Sequence, residues 1–353
     1  MFRNVYKQKR ILITGHNGFK GAWLCFWLKS LGAELCGYSL LPDRDWLHFS
    51  HLDITVKSVC GDVCDYTNLK KTFDDFQPQF VFHLAAQPLV RESYQTPRET
   101  FAANFMGTVN VLEACRHTAS VEGAVVVTTD KCYANSDTRR QAFTENDPMG
   151  GADPYSASKG AAELAVASYR SSFSMNIASA RAGNVIGGGD WACDRLIPDL
   201  VRAAIRNENL ILRYPAAVRP WQHVLEALSG YLVLGEKLLT EKDTYASGWN
   251  FGPLDMETYT VLDIIKMAQK QWNIVQYSID SVKPYAPEAA YLTLNCARAE
   301  KELAWRPVWN TEEAVAHTIN WYRAWYEKKE ILTGADLNAY IDSAKNAGLD
   351  WVL

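Results

Sequence analysis

The stretch "RILITGHNGFKGAWLCFWLKSLG", Arg10 to Gly32, contains a strand, a glycine turn and a helix in immediate succession. Ile11, Leu12 and Ile13 are a short apolar run of strand length, and the segment from Gly21 reads as a helix closed by Gly32. Between them Gly15, Gly18 and Gly21 stand at GxxGxxG spacing. Glycines at this spacing permit a tight turn and let a pyrophosphate approach the backbone at the helix N-terminus. Alone the pattern is weak; after a first strand and before a helix it points to a dinucleotide site. Lys20 supports that reading, because a cation in the first helical turn opposes the helix dipole unless an anion lies nearby. His16, Asn17 and Phe19, which fill the turn, belong to the same expected site.

Outward from this turn, short apolar runs alternate with helix-length amphipathic segments. "AELCGYSL", "VKSVCGDVCD", "QFVFHLAA", "GAVVVTTD" and "NIASARAGNVIG" read as further strands. "YTNLKKTFDDF", a stretch from about Arg98 to His117 and another from about Ala157 to Phe173 read as helices. This alternation predicts an α/β fold, a Rossmann-type doubly wound parallel sheet with helices on both faces. After Gly187 the pattern loosens into "GGGDWACDRLIPD", which suggests a smaller C-terminal lobe over the strand ends. The expected division gives residues 1–187 with about 222–253 to the dinucleotide domain, and 188–221 with about 254–353 to a substrate lobe. The second strand ends in Ser39 where a ribose-binding acid is usual, and Asp43 farther along is a substitute. The preference for NAD over NADP is therefore expected to be modest.

Bulk composition excludes several classes. The chain has 353 residues, 48% of them hydrophobic, and a net charge of −4, so nothing in its charge suggests nucleic acid or a membrane surface as partner. The N-terminal residues lack a signal-peptide apolar core, and no run is long enough to span a bilayer, so a cytoplasmic location is expected. Eight cysteines in a chain of this length do not form a disulfide framework, and Cys60 and Cys64 lack zinc-site spacing; no metal is expected.

Two segments carry chemistry. "VVVTTDKCYAN", Val125 to Asn135, places Thr128, Thr129, Asp130 and Lys131 at the mouth of a buried strand, where such groups are costly without a purpose. "DPYSASKGAAE" places Tyr155 and Lys159 four residues apart on one helical face. An ammonium beside a phenol favours the phenolate and is expected to lower the Tyr155 pKa towards that of a useful base.

Taken with "HLAAQ" at His83–Gln87, these segments resemble the extended short-chain dehydrogenase/reductase family over nearly the whole chain. "TTDKCYAN", "DPMGGADPYSASKG", "RAGNVIGGGDWACDRLIPD" and "RPWQHVLE" are similar to the CDP-glucose 4,6-dehydratases within it. The resemblance implies NAD as cofactor, held by the glycine loop together with Ser39, Asp62, Val63, Leu84, Ala85, Ala86, Gln87, Asn104, Tyr155 and Lys159. It implies that Thr129 joins Tyr155 and Lys159 at the substrate 4-hydroxyl and that Asp130 is the acid for the departing 6-hydroxyl; Lys131 is the candidate base at C5. CDP-glucose is the implied substrate. Asn184, Arg195 and Arg219 would face its diphosphate, Leu196, Ile197 and Pro198 its base, with Arg213 and Arg298 as further contacts. His223 and the aromatic segment "INWYRAWYEK" read as structural. A homodimer through the helices near Arg98 and Tyr155, or a dimer of dimers, is the expected assembly. Two other readings stay open: a sugar-nucleotide 4-epimerase of the same fold, which needs no acid–base pair at Asp130 and Lys131, and a non-catalytic NAD-binding regulator.

Overall fold

The computed structural model describes residues 1–41, 48–136, 139–253, 258–280 and 290–353; Asp43 lies outside them. The first half runs β1 (Arg10–Thr14), α1 (Phe19–Ser30), β2 (Glu34–Ser39), β3 (Lys57–Cys60), α2 (Tyr66–Phe76), β4 (Phe80–His83), α3 (Val90–Gln95), α4 (Pro97–Phe101), α5 (Gly107–Arg116), β5 (Gly123–Val127), α6 (Pro154–Phe173) and β6 (Ile177–Ala182). There follow β7 (Val185–Ile186), α7 (Leu196–Ile205), β8 (Leu210–Leu212), β9 (Gln222–His223), α8 (Val224–Glu241), β10 (Gly248–Phe251), α9 (Val261–Gln271), β11 (Tyr277–Ile279), α10 (Ala297–Leu303), α11 (Thr311–Lys328) and α12 (Thr333–Asn346).

Seven strands form one parallel sheet in the order β10-β6-β5-β4-β1-β2-β3. The six strands expected from the sequence are all present; β10 adds a seventh at the edge, pairing Gly248–Phe251 with Ser179–Ala182. Both faces are buried, so each strand divides its apolar side chains by alternation. Ile11, Ile13, Phe80, Phe82, Val125 and Val127 enter one core with α1, α8, α11 and α12. Leu12, Val81, Ala124 and Val126 enter the other, against α2, α5 and α6. The first core is rich in large rings: Trp23, Trp27, Trp305, Trp321 and Tyr340 are fully buried there. "INWYRAWYEK" thus supplies core residues, Trp321 and Tyr322 among them, as expected.

Caps explain where the key helices begin. Asp153 accepts from Ser156 N at the start of α6, with Pro154 in its first turn, so the helix starts three residues before the expected Ala157. The helix expected from about Arg98 to His117 is interrupted. α4 and α5 are joined by a widened π turn, Ala102–Met106, which turns Asn104 into the interior. Two short parallel pairs, β7 with β9 and β8 with β11, lie outside the main sheet. Each of the eight cysteines is a free thiol. Among the described residues no helix is long and apolar enough to cross a membrane.

Candidate active site

A cleft of about 1110 Å³ opens at the C-terminal ends of β1 and β4, where the strand order reverses. One small-molecule site usually needs roughly 300–1,000 Å³, so this cleft has room for two ligands. Its first wall is the glycine loop. Gly15 has φ +72°, and a Cβ there would come within 2.8 Å of Ala85 N. A Cβ on Gly21 would come within 2.1 Å of Gly15 O. Gly18 differs, because its Cβ would meet only Gly15 O, at 3.3 Å, and otherwise faces open space. Gly15 and Gly21 are therefore required by packing, and Gly18 leaves the opening into which a phosphate can come close to the backbone.

Asn17, Phe19, Lys20, Ser39, Asp62, Val63, Leu84, Ala85, Ala86 and Gln87 line the same wall. Lys20 is half-buried, donates to the Tyr231 hydroxyl at 3.2 Å, and has its pKa lowered to about 7 by desolvation and then by Arg195 and Lys159. Two expected cofactor contacts lie behind the wall instead. His16 sits against Gly37 and bridges the Ser39 hydroxyl (2.7 Å) and the Ser58 hydroxyl (2.9 Å), and burial keeps it neutral. Asn104 is fully buried; its amide donates to Gln87 O at 3.0 Å and Ser158 Oγ at 2.9 Å, and its carbonyl accepts from Gln87 N at 2.8 Å. Their side chains brace the loops that line the cleft and do not themselves line it.

At the floor, the end of β5 meets the start of α6. Thr128, Thr129, Asp130, Lys131, Tyr155 and Lys159 all line the cleft. The Thr129 hydroxyl donates to Asp130 Oδ1 at 3.0 Å, accepts from Lys131 N at 3.3 Å, and is in hydrogen-bond contact with the Tyr155 phenol. Asp130 is buried and its Oδ2 has no hydrogen-bond partner among the described residues. Burial raises its pKa, against the opposing pull of Lys131, the Thr129 bond, Arg219 and Lys20. A buried carboxyl that resists ionisation is suited to hold a proton for a leaving group. Lys159 donates to Val127 O at 3.2 Å, and burial lowers its pKa to about 8.

The expected lowering of the Tyr155 pKa is not found. Burial pushes it up to about 12, and only the Thr129 bond and Arg195 work in the other direction. Lys159 donates to the β5 carbonyl and not to the phenol, and the desolvation of the phenol outweighs the charge beside it.

The second wall comes from the lobe. Asn184, Arg195, Leu196, Ile197, Pro198, Arg213 and Arg219 line it. Two of its arginines, Arg195 and Arg213, are already paired with acids. Arg195 donates to Asp190 Oδ2 at 2.8 Å, while Arg91 (3.0 Å) and Arg213 (3.6 Å) share Asp194 Oδ1. Arg219 donates to Val218 O at 2.8 Å. Arg298 is away from the cleft: its guanidinium stacks on Trp249 at 4.0 Å and binds Ser247 Oγ and Gly248 O, which makes it a packing residue and not a substrate contact. His223 accepts from Leu225 N as the cap of α8, the structural role expected of it.

The sequence reading gave no role to Arg91, Asp190 or Asp194; the two acids stand within "RAGNVIGGGDWACDRLIPD", whereas Arg91 stands in none of the quoted segments. It also missed Tyr231, which reaches the site from α8. Glu163 was open to detection, since Tyr155, Lys159 and Glu163 recur at four-residue spacing on one helix face.

The family described as GDP-mannose 4,6 dehydratase matches residues 12–318. A curated CDP-glucose 4,6-dehydratase of Salmonella typhimurium is 42% identical over 94% of this chain and 95% of its own length. Among solved structures, a dTDP-glucose 4,6-dehydratase of Streptomyces venezuelae with NAD bound superposes with TM-score 0.77, at 23% identity over 89% of this chain and 97% of its own. A UDP-glucose 4-epimerase of Thermotoga maritima superposes with TM-score 0.79, at 20% identity over 89% and 98%. The chain belongs to the GDP-mannose 4,6 dehydratase family.

Proposed function

We propose that the chain dehydrates CDP-D-glucose to CDP-4-keto-6-deoxy-D-glucose in deoxysugar synthesis. The observation that carries this reading is the buried Asp130, its pKa raised by burial, next to Lys131 and within one hydroxyl of Tyr155; the relative at 42% identity supports the choice of substrate. The backbone opening at Gly18, rimmed by Asn17, Lys20 and the Leu84–Gln87 loop, fits a dinucleotide pyrophosphate. NAD, once bound there, supplies the electron sink for the C4 hydride and the source of hydride for C6.

The chain's own residues move the protons. Tyr155 takes the proton of the 4-hydroxyl, in contact with Thr129 and assisted by Lys159. A ketone at C4 acidifies the C5 proton, which Lys131 receives. Asp130 gives its proton to the 6-hydroxyl, which leaves as water. On the second wall, Arg195, Arg213 and Arg219 would hold the diphosphate, with Leu196, Ile197 and Pro198 at the base. Residues 1–187 with about 222–253 would then serve the cofactor, and 188–221 with about 254–353 the nucleotide sugar. Ser39 in place of an acid leaves only modest discrimination against NADP. Phe101, Met106 and Leu164, exposed on the α4–α5 and α6 surface, would be covered in a homodimer. The proposed setting is the cytoplasm.

The rival reading, a sugar-nucleotide 4-epimerase, draws on the similarity in fold to the Thermotoga maritima enzyme. Incubation with CDP-glucose separates the readings: a 4-keto-6-deoxy product supports dehydration, a galacto-sugar means epimerisation, and no change means a binding protein without this activity. In deuterated water the dehydratase places one deuterium at C5. Asp130→Asn and Lys131→Met should each show cofactor reduction with CDP-glucose but little product. Loss of cofactor reduction in a folded, substrate-binding Lys131→Met variant would remove Lys131 from the elimination step.

A further inference from the structure

Directly behind the catalytic floor lies a buried charge that the proposed chemistry does not use. Glu163, one turn after Lys159 on α6, is 4% exposed. Its Oε1 accepts from the Thr128 hydroxyl, and its Oε2 accepts from Ser179 Oγ at 2.7 Å and from Arg181 at 2.7 Å. β5, β6 and α6 each contribute to this arrangement. Arg181 in turn donates to the Tyr133 hydroxyl at 2.7 Å, and Tyr133 donates to Asn250 Oδ1 at 2.7 Å. A carboxylate with this many donors stays ionised despite its burial, and the pKa of Glu163 is lowered.

We propose that Glu163 is a positioning residue: its carboxylate, fixed by Thr128, Ser179 and Arg181, keeps the neighbouring Lys159 in the ammonium form that Tyr155 needs. This rests on the assignment of Tyr155 and Lys159 given above. The surroundings of Lys159 make Glu163 its main support. From its own helix come Tyr155 and Glu163; from the segment after β5, Cys132; from β4, His83, which burial keeps neutral; and from α1, the cation Lys20. Lys159 Nζ is anchored on Val127 O and Glu163 Oε1 on the hydroxyl of the adjacent Thr128, so both side chains end at the same point of the β5 terminus; there Glu163 favours the charged lysine, and burial opposes it. The Tyr155 phenolate with a Lys159 ammonium carries the same number of protons as the phenol with a neutral amine. The field of Glu163 therefore selects the reactive arrangement without a net change in protonation. A second effect follows from the same field: fully protonated Tyr155/Lys159 holds its extra proton to higher pH while Glu163 is charged.

Glu163→Gln keeps the size and the acceptor oxygen and removes the charge. The expected result is a fall of about tenfold or more in the rate of cofactor reduction, with the acid limb of the pH–rate profile displaced by about one unit to lower pH. A merely structural role would lower the plateau and leave the limb in place. A second readout needs neither cofactor nor substrate. In protein carrying lysine labelled with ¹³C at Cε, the Lys159 resonance, identified by its loss in Lys159→Met, reports the lysine midpoint directly. It should fall by about one unit in Glu163→Gln. Because that variant leaves Arg181 buried without its counter-charge, Glu163→Gln/Arg181→Met is measured beside it. The double variant should fold like wild type and still show the lowered midpoint. A Lys159 midpoint within about 0.3 units of wild type in the folded double variant overturns the proposal, since half a unit or more is the smallest shift a neighbouring charge should cause. That outcome is distinct from failure of the functional reading, in which wild type itself gives no product while the lysine midpoint still responds to Glu163.

Discussion

On the β1 wall of the cleft a single methyl on Gly21 would collide with Gly15 O at 2.1 Å, whereas on the lobe wall Arg195 and Arg213 rest in ion pairs with Asp190 and Asp194. The first wall is made of backbone and has one shape. The second is made of long charged side chains that already have partners, so an incoming diphosphate must displace carboxylates before the arginines can hold it. The walls should therefore fail differently when altered: the first abruptly and independently of salt, the second by degrees and with strong dependence on ionic strength.

The largest effect belongs to the seam between them. Tyr155→Phe keeps the ring and removes the phenol assigned to the 4-hydroxyl, so cofactor reduction with CDP-glucose should fall by about two to four powers of ten while both ligands still bind. Near-normal turnover would show that neither wall delivers its ligand to Tyr155. Next is the backbone wall. Gly21→Ala should cost about a hundredfold in NAD affinity or prevent folding, while Gly18→Ala, with its single neighbour at 3.3 Å, should fold normally and lose about tenfold. Calorimetric titration with thermal melts measures both; equal behaviour of the two variants would break the contrast between forced and open glycines. On the side-chain wall, Arg195→Lys should raise KM for CDP-glucose about tenfold with little change in kcat, more so as salt is added. A salt-independent effect would mean that Arg195 acts only by holding Asp190.

The smallest effect tests whether the backbone wall holds any titratable charge. The Lys20 pKa is lowered to about 7, so the lysine is cationic below that pH and neutral above it. A bound anion favours the cation and raises the pKa, so binding at pH 7.5 should take up part of a proton. Affinity should be highest below pH 7 and fall severalfold by pH 8.5. Lys20→Met should abolish that slope. A flat profile in wild type would show that Lys20 faces no anion.

The same contrast decides what could be read in advance. The glycine spacing, the alternating strands and the Tyr155/Lys159 pair follow from short-range rules, and each was found where the sequence places it. The side-chain wall depends on contacts between distant segments. Arg91 meets Asp194 across 103 residues, and nothing local to either says that they pair. Arg298 reads as one more basic residue near a motif, yet its neighbour in space is Trp249, which binds it by stacking. The Tyr155 pKa was misjudged for a related reason. Spacing places Lys159 on the same helix face, but the Val127 carbonyl that occupies its ammonium comes from another element. The π turn at Ala102–Met106 was also invisible, because Asn104 looks like an ordinary helical residue until Gln87 and Ser158 are seen to claim it.

The last strand of the sheet has a consequence for how the molecule comes into being. β10 pairs with β6, but residues 183–247 are made between them, including Arg195, Arg213 and Arg219. On the ribosome the β6 edge therefore stays bare while the basic wall of the cleft emerges, and an unpaired edge is open to pairing with other chains. The edge is covered only when Gly248–Phe251 arrives, and Trp305 and Trp321, which complete the core beneath, arrive later still. A chain released before Gly248 would carry both the bare edge and the exposed arginines. Such a fragment would be a marked target for chaperones and proteases and no partial enzyme, so synthesis here yields a working cleft only near its end.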